Sequence, residues 1–325
     1  MSDAAAHHPL RLTIATGVAI LSGMLVAVQS RINGQLSTEL GDGFVTATVS
    51  FGSGLLLLSI VLAFMPSGRR GLALVAGALR ERSIPWWYLL GGACGAFFVL
   101  SQSIVVAIAG VALFTVGVVA GQTVSSLLID RSGMGTMAPK RLTVTRLAGA
   151  ALALVAVVVA VSGQLRGDVP YWILIAPLIS GLAVGAQQAL NGQLRETAHS
   201  PLAATFISFA VGTTVLVTAL IVHLLFVAWP ADFPSNPLLY LGGMVGAVFI
   251  AAQTVLVRIT GVLVLGLSVL SGQVVAAAVL DLVLPVPGHV IGVATLVGAA
   301  LTLVAVGVAA IPRRGTTASS GSPSR

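Results

Sequence analysis

The stretch Gln29-Ser30-Arg31-Ile32-Asn33-Gly34-Gln35-Leu36 recurs as Gln187-Gln188-Ala189-Leu190-Asn191-Gly192-Gln193-Leu194, with Gln, Asn, Gly, Gln and Leu in the same places. The offset is 158 residues, and it holds without a gap from Ser22-Gly23 (Ser180-Gly181) to Ser50-Phe51 and Gly54 (Ser208-Phe209 and Gly212). At an offset of 151, Gly91-Gly92, Gly95, Phe98, Gln102, Gly110, Gly121-Gln122 and Asp130 meet Gly242-Gly243, Gly246, Phe249, Gln253, Gly261, Gly272-Gln273 and Asp281. At 149, Gly149 to Leu152 meets Gly298 to Leu301, so the offset shrinks only across loops. A duplication of this extent constrains the architecture before anything else does, since both copies must reach the same local fold.

What each copy folds into follows from its apolarity. The chain is 57% hydrophobic and 8% charged, with a mean hydropathy of +1.06, against about 25% charged residues in a soluble domain. Its apolar runs are long and do not alternate, which favours helices over a barrel. They fall at about Leu10–Val28, Phe44–Met65, Trp86–Ile108, Val111–Ile129 and Thr143–Ser162, then Tyr171–Leu190, Leu202–Ala228, Pro237–Val257, Val262–Leu284 and Val290–Ile311. Each is of the length that crosses a hydrocarbon core of ~30 Å at ~1.5 Å per residue. The expected fold is therefore an all-α integral membrane protein of ten transmembrane helices in two five-helix repeats, residues 10–163 and 164–312. A polar leader (1–9) and a disordered cytoplasmic tail (313–325) flank them. The first run is read as a span and not as a cleaved signal, because Tyr171–Leu190 mirrors it inside the chain. Between the third and fourth spans of each half only Gly110 and Gly261 are left to make a tight reversal.

Orientation follows from the basic residues. With the N-terminus inside, fourteen of the 16 Lys and Arg fall in cytoplasmic segments, and only Arg31 and Arg166 fall outside. Both termini are then cytoplasmic. Five spans is an odd number, so the second repeat enters the bilayer inverted, the framework on which many secondary transporters are built. The four Trp and three Tyr fall near span ends, as an interfacial belt does. The net charge of +7 is spread through short loops and offers no face to nucleic acid. A single cysteine, Cys94, excludes a disulfide framework and a cysteine-based metal site. No His-Glu-x-x-His, Gly-x-Ser-x-Gly or Gly-x-x-x-x-Gly-Lys motif is present, so the expectation is no enzyme, no metal and no cofactor.

Polar residues inside the spans are costly and need a reason. Counting depth at ~1.5 Å per residue places Ser22, Ser180, Gln122 and Gln273 near mid-span. They are candidates to line a substrate site with uncharged hydrogen-bonding groups, or else to bond helix to helix. Gln29, Asn33, Gln187 and Asn191 fall toward span ends, with Gln102 and Gln253 about two-thirds through. There they read as a gate, or, for the two Asn-Gly pairs, as left-handed helix caps. Asp281 lies in the apolar run Leu280 to Pro285 and is the candidate for proton coupling, with an outer-end cap or interface charge as the other reading.

Ten spans in two inverted halves resemble the YdcZ-type family of the drug/metabolite transporter superfamily. The carrying motifs are Gln-x-x-x-Asn-Gly-Gln-Leu after each first helix and Ser-Phe-x-x-Gly in each second helix. The resemblance covers residues 10–312 and implies a bacterial inner-membrane exporter of small molecules, working by alternating access in the lipid bilayer. A homodimer is a candidate assembly. The related small multidrug exporters carry a membrane-embedded Glu in their first helix, whereas Ser22 and Ser180 stand at that depth here, so neither a cationic-drug substrate nor the usual proton mechanism carries over. The rival reading from another class is a non-transporting membrane scaffold or assembly factor.

Overall fold

A computed structural model describes residues 3–132, 143–162, 171–285 and 292–310. These residues are almost wholly helical: α1 (Asp3–Leu40), α2 (Gly43–Phe64), α3 (Pro66–Arg80), α4 (Gly91–Ser132), α5 (Val144–Ser162), α6 (Tyr171–Ala198), α7 (Pro201–His223), α8 (Gly242–Val283) and α9 (Val293–Ala310). Short 3-10 turns precede α4 and α8. Among the described residues, six helices are long and apolar enough to cross a membrane. The tail, the loop holding Arg166, the side chain of Asp130 and the surroundings of Gly261 lie outside what is described.

Two of these helices are hairpins. A straight 42-residue helix such as α4 would extend ~63 Å, twice the hydrocarbon thickness. Gly110 breaks it at φ 82°, ψ 169°, a conformation that glycine alone adopts freely. The rings of Phe98 and Phe114, on either side of the break, lie 5.7 Å apart, where a straight helix would hold them ~24 Å apart. So α4 doubles back at Gly110, as the sequence predicts. In α8, Gly242 packs on Asn33 and Gly272 packs on Ile20. Those partners are ~20 Å apart along α1, whereas Gly242 and Gly272 would be ~45 Å apart on a straight helix. Thus α8 doubles back too.

The helices pair so that each half embraces the other. α1 runs along both arms of α8, and α6 along both arms of α4; α2 packs on α7 and α5 on α9. These pairings exchange into one another when the repeats are exchanged. Phe51 and Phe209, which are repeat mates, meet with ring centroids 5.0 Å apart at the α2–α7 contact. Small residues permit the closest crossings. Gly23 meets the backbone of Val269, and its mate Gly181 meets Val118 and Gly121, the close approach that membrane helices use in place of a hydrophobic drive.

The structure departs from the sequence expectation in two respects. α1 begins at Asp3, inside the polar leader, and continues twelve residues beyond Val28, through Asn33-Gly34, to end at Leu40 before Gly41 at φ 67°. α6 likewise runs through Asn191-Gly192 to Ala198, before His199 at φ 48°. The Asn-Gly pairs are therefore helix-interior and do not cap. The physical reason is that their amides are held by neighbouring helices, so the backbone has no call to stop there. Second, Pro66–Arg80, which falls between the second and third apolar runs and carries no element in the sequence expectation, forms α3, whose buried residues Gly68, Gly71 and Val75 pack on the ends of α6 and α7.

One polar clasp joins α2 to α7. Asp42 Oδ1 accepts from the backbone N–H of Phe44 (2.8 Å) and Val45 (3.1 Å), capping α2, while Oδ2 lies 3.0 Å from His223 Nε2. The imidazole stacks on Phe44 at 4.3 Å. Asp42→Ala should lower stability by about 2 kcal/mol through the lost cap and the lost side-chain bond. Asp42→Asn, which keeps the capping oxygen, should lose less, as thermal unfolding in detergent would read.

Candidate functional site

The four mid-span candidates fall into two pairs, each beside a glycine crossing. Ser22 precedes Gly23 and Gln273 follows Gly272, where α1 crosses the second arm of α8; Ser180 precedes Gly181 and Gln122 follows Gly121, where α6 crosses the second arm of α4. Ser22, Ser180 and Gln273 are buried and Gln122 is half-buried. Ser22 donates to its own helix at Ala19 O, 2.8 Å. Ser180 Oγ, Gln122 Oε1 and Gln273 Nε2 are buried atoms with no hydrogen-bond partner in the protein. Each is a desolvated polar atom whose bond is still to be made, and such atoms cost roughly 1–3 kcal/mol unless a water or a ligand meets them.

The doubled motif forms two further clusters, one in each half, and their geometry differs. In the first, Asn33 Nδ2 donates to Gln102 Oε1 (2.7 Å) and Gln102 Nε2 donates to Ser30 Oγ (2.6 Å). Asn33, Gln102 and Ser30 are each 0% exposed, and Gln29 is 4%. Gly242 and Gly246 of α8 close over them: a Cβ on Gly246 would lie 2.7 Å from Gln29 Nε2, and one on Gly242 would collide with Asn33 Oδ1. Ser50 Oγ is buried beside them without a partner.

In the second cluster the corresponding asparagine has chosen differently. Asn191 Nδ2 and Gln187 Nε2 both reach Ser208 Oγ, at 3.4 and 3.3 Å. Ser208 is the mate of Ser50, the hydroxyl left unbonded in the first cluster. Gln253, mate of Gln102, is half-buried and takes no part in these bonds. Gln188 and Gly192, mates of the buried Ser30 and Gly34, are exposed. The two copies of one motif thus occupy two packing states, sealed in the first half and loosened in the second.

Asp281 proves to be a helix cap in trans. Its Oδ1 accepts from the N–H of Val111 (2.9 Å) and its Oδ2 from that of Ala112 (2.7 Å), the first residues after the break at Gly110. The carboxylate is 7% exposed and packs against Gly110 itself. Depth counting alone misses this destination, because the capped donors lie 170 and 169 residues away. A helix beginning in the middle of a bundle needs acceptors for its free N–H groups, and Asp281 supplies two. Its repeat mate, Asp130, lies outside the residues whose side chains are described. Among the described residues no group of three His, Cys, Asp or Glu side chains is placed to hold a metal ion.

Comparison with known proteins agrees with this architecture. The family model described as "Putative inner membrane exporter, YdcZ" matches residues 14–159 and 172–308, nearly the whole of both halves. No curated protein matches the chain. A solved structure described only as "Crystal structure of protein" is 18% identical, covers 92% of this chain and 96% of its own, and superposes with a TM-score of 0.50, which shows a shared fold. Membership in a transport family places the chain among membrane carriers and not among enzymes. With its apolar helical bundle and its paired matches, the chain is a multi-pass inner-membrane transport protein that belongs to the YdcZ family of the drug/metabolite transporter superfamily.

Proposed function

We propose that this protein is a secondary transporter, exporting a small uncharged or weakly polar solute by alternating access between two inverted five-helix repeats. In this reading the two arms of α4 and of α8 count separately, giving ten spans with both termini cytoplasmic. The observation that carries the reading is the difference in partners between the two copies of the doubled motif. In this reading each asparagine alternates between two acceptors, a glutamine on the hairpin of its own half (Gln102 or Gln253) and a serine on the second helix (Ser50 or Ser208), of which one is taken in each half here. Asn33 takes the glutamine and its cluster is sealed; Asn191 takes the serine and its cluster is loosened. Rocking one repeat against the other would swap these choices, which is what two faces of a pseudo-symmetric carrier must do.

On the charge-based orientation, the sealed cluster is the outer gate and the loosened one the inner gate. The state is then open inward, the loading state of an exporter. Ser22 and Gln273 with Ser180 and Gln122 are the proposed substrate contacts, because the unbonded atoms of Gln273, Ser180 and Gln122 offer both donors and acceptors without charge. A coupling role for Asp281 would require a proton to displace one of its two bonds to α4. Asp281→Asn that retains pH-driven flux in liposomes would exclude that role. Absence of flux for every solute of a broad metabolite library, with and without a pH gradient, would favour the scaffold reading.

The gate assignment has a direct test in a Cys94→Ala background. With Gly192→Cys as reporter, a membrane-impermeant thiol reagent should label from the cytoplasmic side, whereas Asn33→Cys should resist labelling from either side. Ser208→Ala removes a bond of the present state and should lower labelling at 192; Ser50→Ala removes a bond of the opposite state and should raise it. Each shift is expected at about fivefold in the equilibrium, the worth of one neutral hydrogen bond of ~1 kcal/mol. Equal effects of the two alanines would sink the partner exchange.

A further inference from the structure

We propose that α3 is an interfacial helix that binds anionic phospholipid headgroups through Arg70, Arg80 and Arg82. The inference goes beyond the transport reading and needs no flux to stand.

α3 has two faces. Gly68, Gly71 and Val75 are buried: Gly68 lies against Leu62 and Leu202, Gly71 against Ala198, Ser200 and Ala203. At about 100° per residue, Arg69, Arg70 and Arg80 share the opposite side, and all three are exposed, as is Arg82 just beyond the helix. Arg69 is committed, since its Nη1 donates to Ala63 O at 2.7 Å. From Phe64 to Trp86 there are four arginines and one acid, Glu81. Pro at the first helical position and the 0.5-charge-equivalent of a helix end add nothing specific here; the guanidinium cluster is the feature.

The surroundings identify the partner. Both ends of α3 are flanked by apolar side chains that water would not tolerate in number. Phe64 is 81% exposed beside Met65 at one end, and Trp86 is 68% exposed beside Trp87 at the other. Exposed aromatics of this kind sit at headgroup level, so the arginines between them lie at that level too. There the planar fork of arginine meets phosphate oxygens, and basic residues next to an anionic leaflet are each attracted to it. The repeat mate of this segment, Leu224 to Tyr240, has no Lys or Arg and only the 3-10 turn at Pro237–Tyr240. The basic strap therefore belongs to one face of the molecule. Its buried side rests on Ala198 and Ala203, beside Leu194 of α6, so lipid held there bears on the loosened cluster two turns away.

The test uses the two reporters that flank the strap. In the full-length chain carrying Trp172→Phe and Trp229→Phe, Trp86 and Trp87 remain. Their quenching by brominated phosphatidylglycerol against brominated phosphatidylcholine gives the relative association constant of the two lipids at this surface. The expected ratio is about fivefold in all, the equivalent of ~1 kcal/mol of added attraction to the anionic lipid, and it falls stepwise as the arginines are removed. Arg70→Gln, Arg80→Gln and Arg82→Gln together should bring it to near one, while quenching by the zwitterionic lipid stays unchanged, showing that the fold is intact. The three Arg→Lys replacements should retain most of the preference. A ratio of one in the parent, or a preference that survives the triple Gln change, overturns the proposal. So does loss of the preference on adding glycerol phosphate in solution, which would make the site one for free phosphate.

Discussion

Asp281→Ala should destabilise the protein by about 3–5 kcal/mol, because two buried N–H groups lose a charged acceptor worth roughly 1.5–3 kcal/mol each. No neighbour can replace it cheaply: Val111 and Ala112 begin the second arm of α4, are almost fully buried, and have no preceding turn to bond to. Asp281→Asn should fall between, since its amide keeps one oxygen and turns a donor toward the other N–H. Gly110→Ala attacks the same joint from the other side. Its Cβ would stand 2.7 Å from Asp281 Oδ2, at a φ of 82° that alanine strongly resists. A loss of about 2–4 kcal/mol is expected. If the joint is one unit, the double variant should cost clearly less than the two single losses added, a coupling that unfolding in mixed micelles would measure. Additive losses would show that the carboxylate and the break act separately.

The second large effect lies at the glycine crossings. Gly181→Ala would drive a methyl group into Val118 O and the backbone of Gly121, and Gly272→Ala would drive one into the backbone of Ile20. Backbone cannot repack as side chains do, so each should cost about 2–4 kcal/mol. Gly52→Ala is the counter-case. It lies within α2 with nothing within 4 Å of the added Cβ, so the better helix former should stabilise by up to about 1 kcal/mol. Opposite signs for one substitution type, read by thermal unfolding, would separate packing from propensity.

Much of this was legible in the sequence, and the limits have physical causes. The duplication exposed the matching of Gly110 with Gly261 and the need for a reversal, since no polar linker separates the apolar runs on either side. It matched Ser22 with Ser180 and Gln122 with Gln273, but it did not show that in space Ser22 lies beside the crossing that holds Gln273, and Ser180 beside the one that holds Gln122. Helix length misled at Asn33: hydropathy falls after Val28, yet the helix continues because Gln102 and Ser30 hold the buried amides. Hydropathy measures transfer to lipid and is blind to partners supplied by the rest of the bundle. α3 escaped notice for a related reason. It is too polar and too short to register as a span, and only the structure shows that Gly68 and Gly71 are where the helix touches α6 and α7. Asp281 was singled out by its apolar neighbours, and only the three-dimensional path of α4 reveals what it binds.

The mutual embrace of the halves has a consequence for biogenesis. α1 leaves the ribosome first, but the surfaces that cover Gln29 and Gly23 belong to α8, some 220 residues or more later in the chain. Until then Gln29 lacks its cover, although Asn33 and Gln102 can already bond within the first half. The newborn first half is thus an incomplete object, its polar cluster still open on the side that α8 closes. Assembly has to wait for the second half to arrive and then thread two hairpins around two helices at once. A chain interrupted after the first repeat should be degraded in the cell, and the two repeats produced as separate polypeptides should each persist only when the other is present.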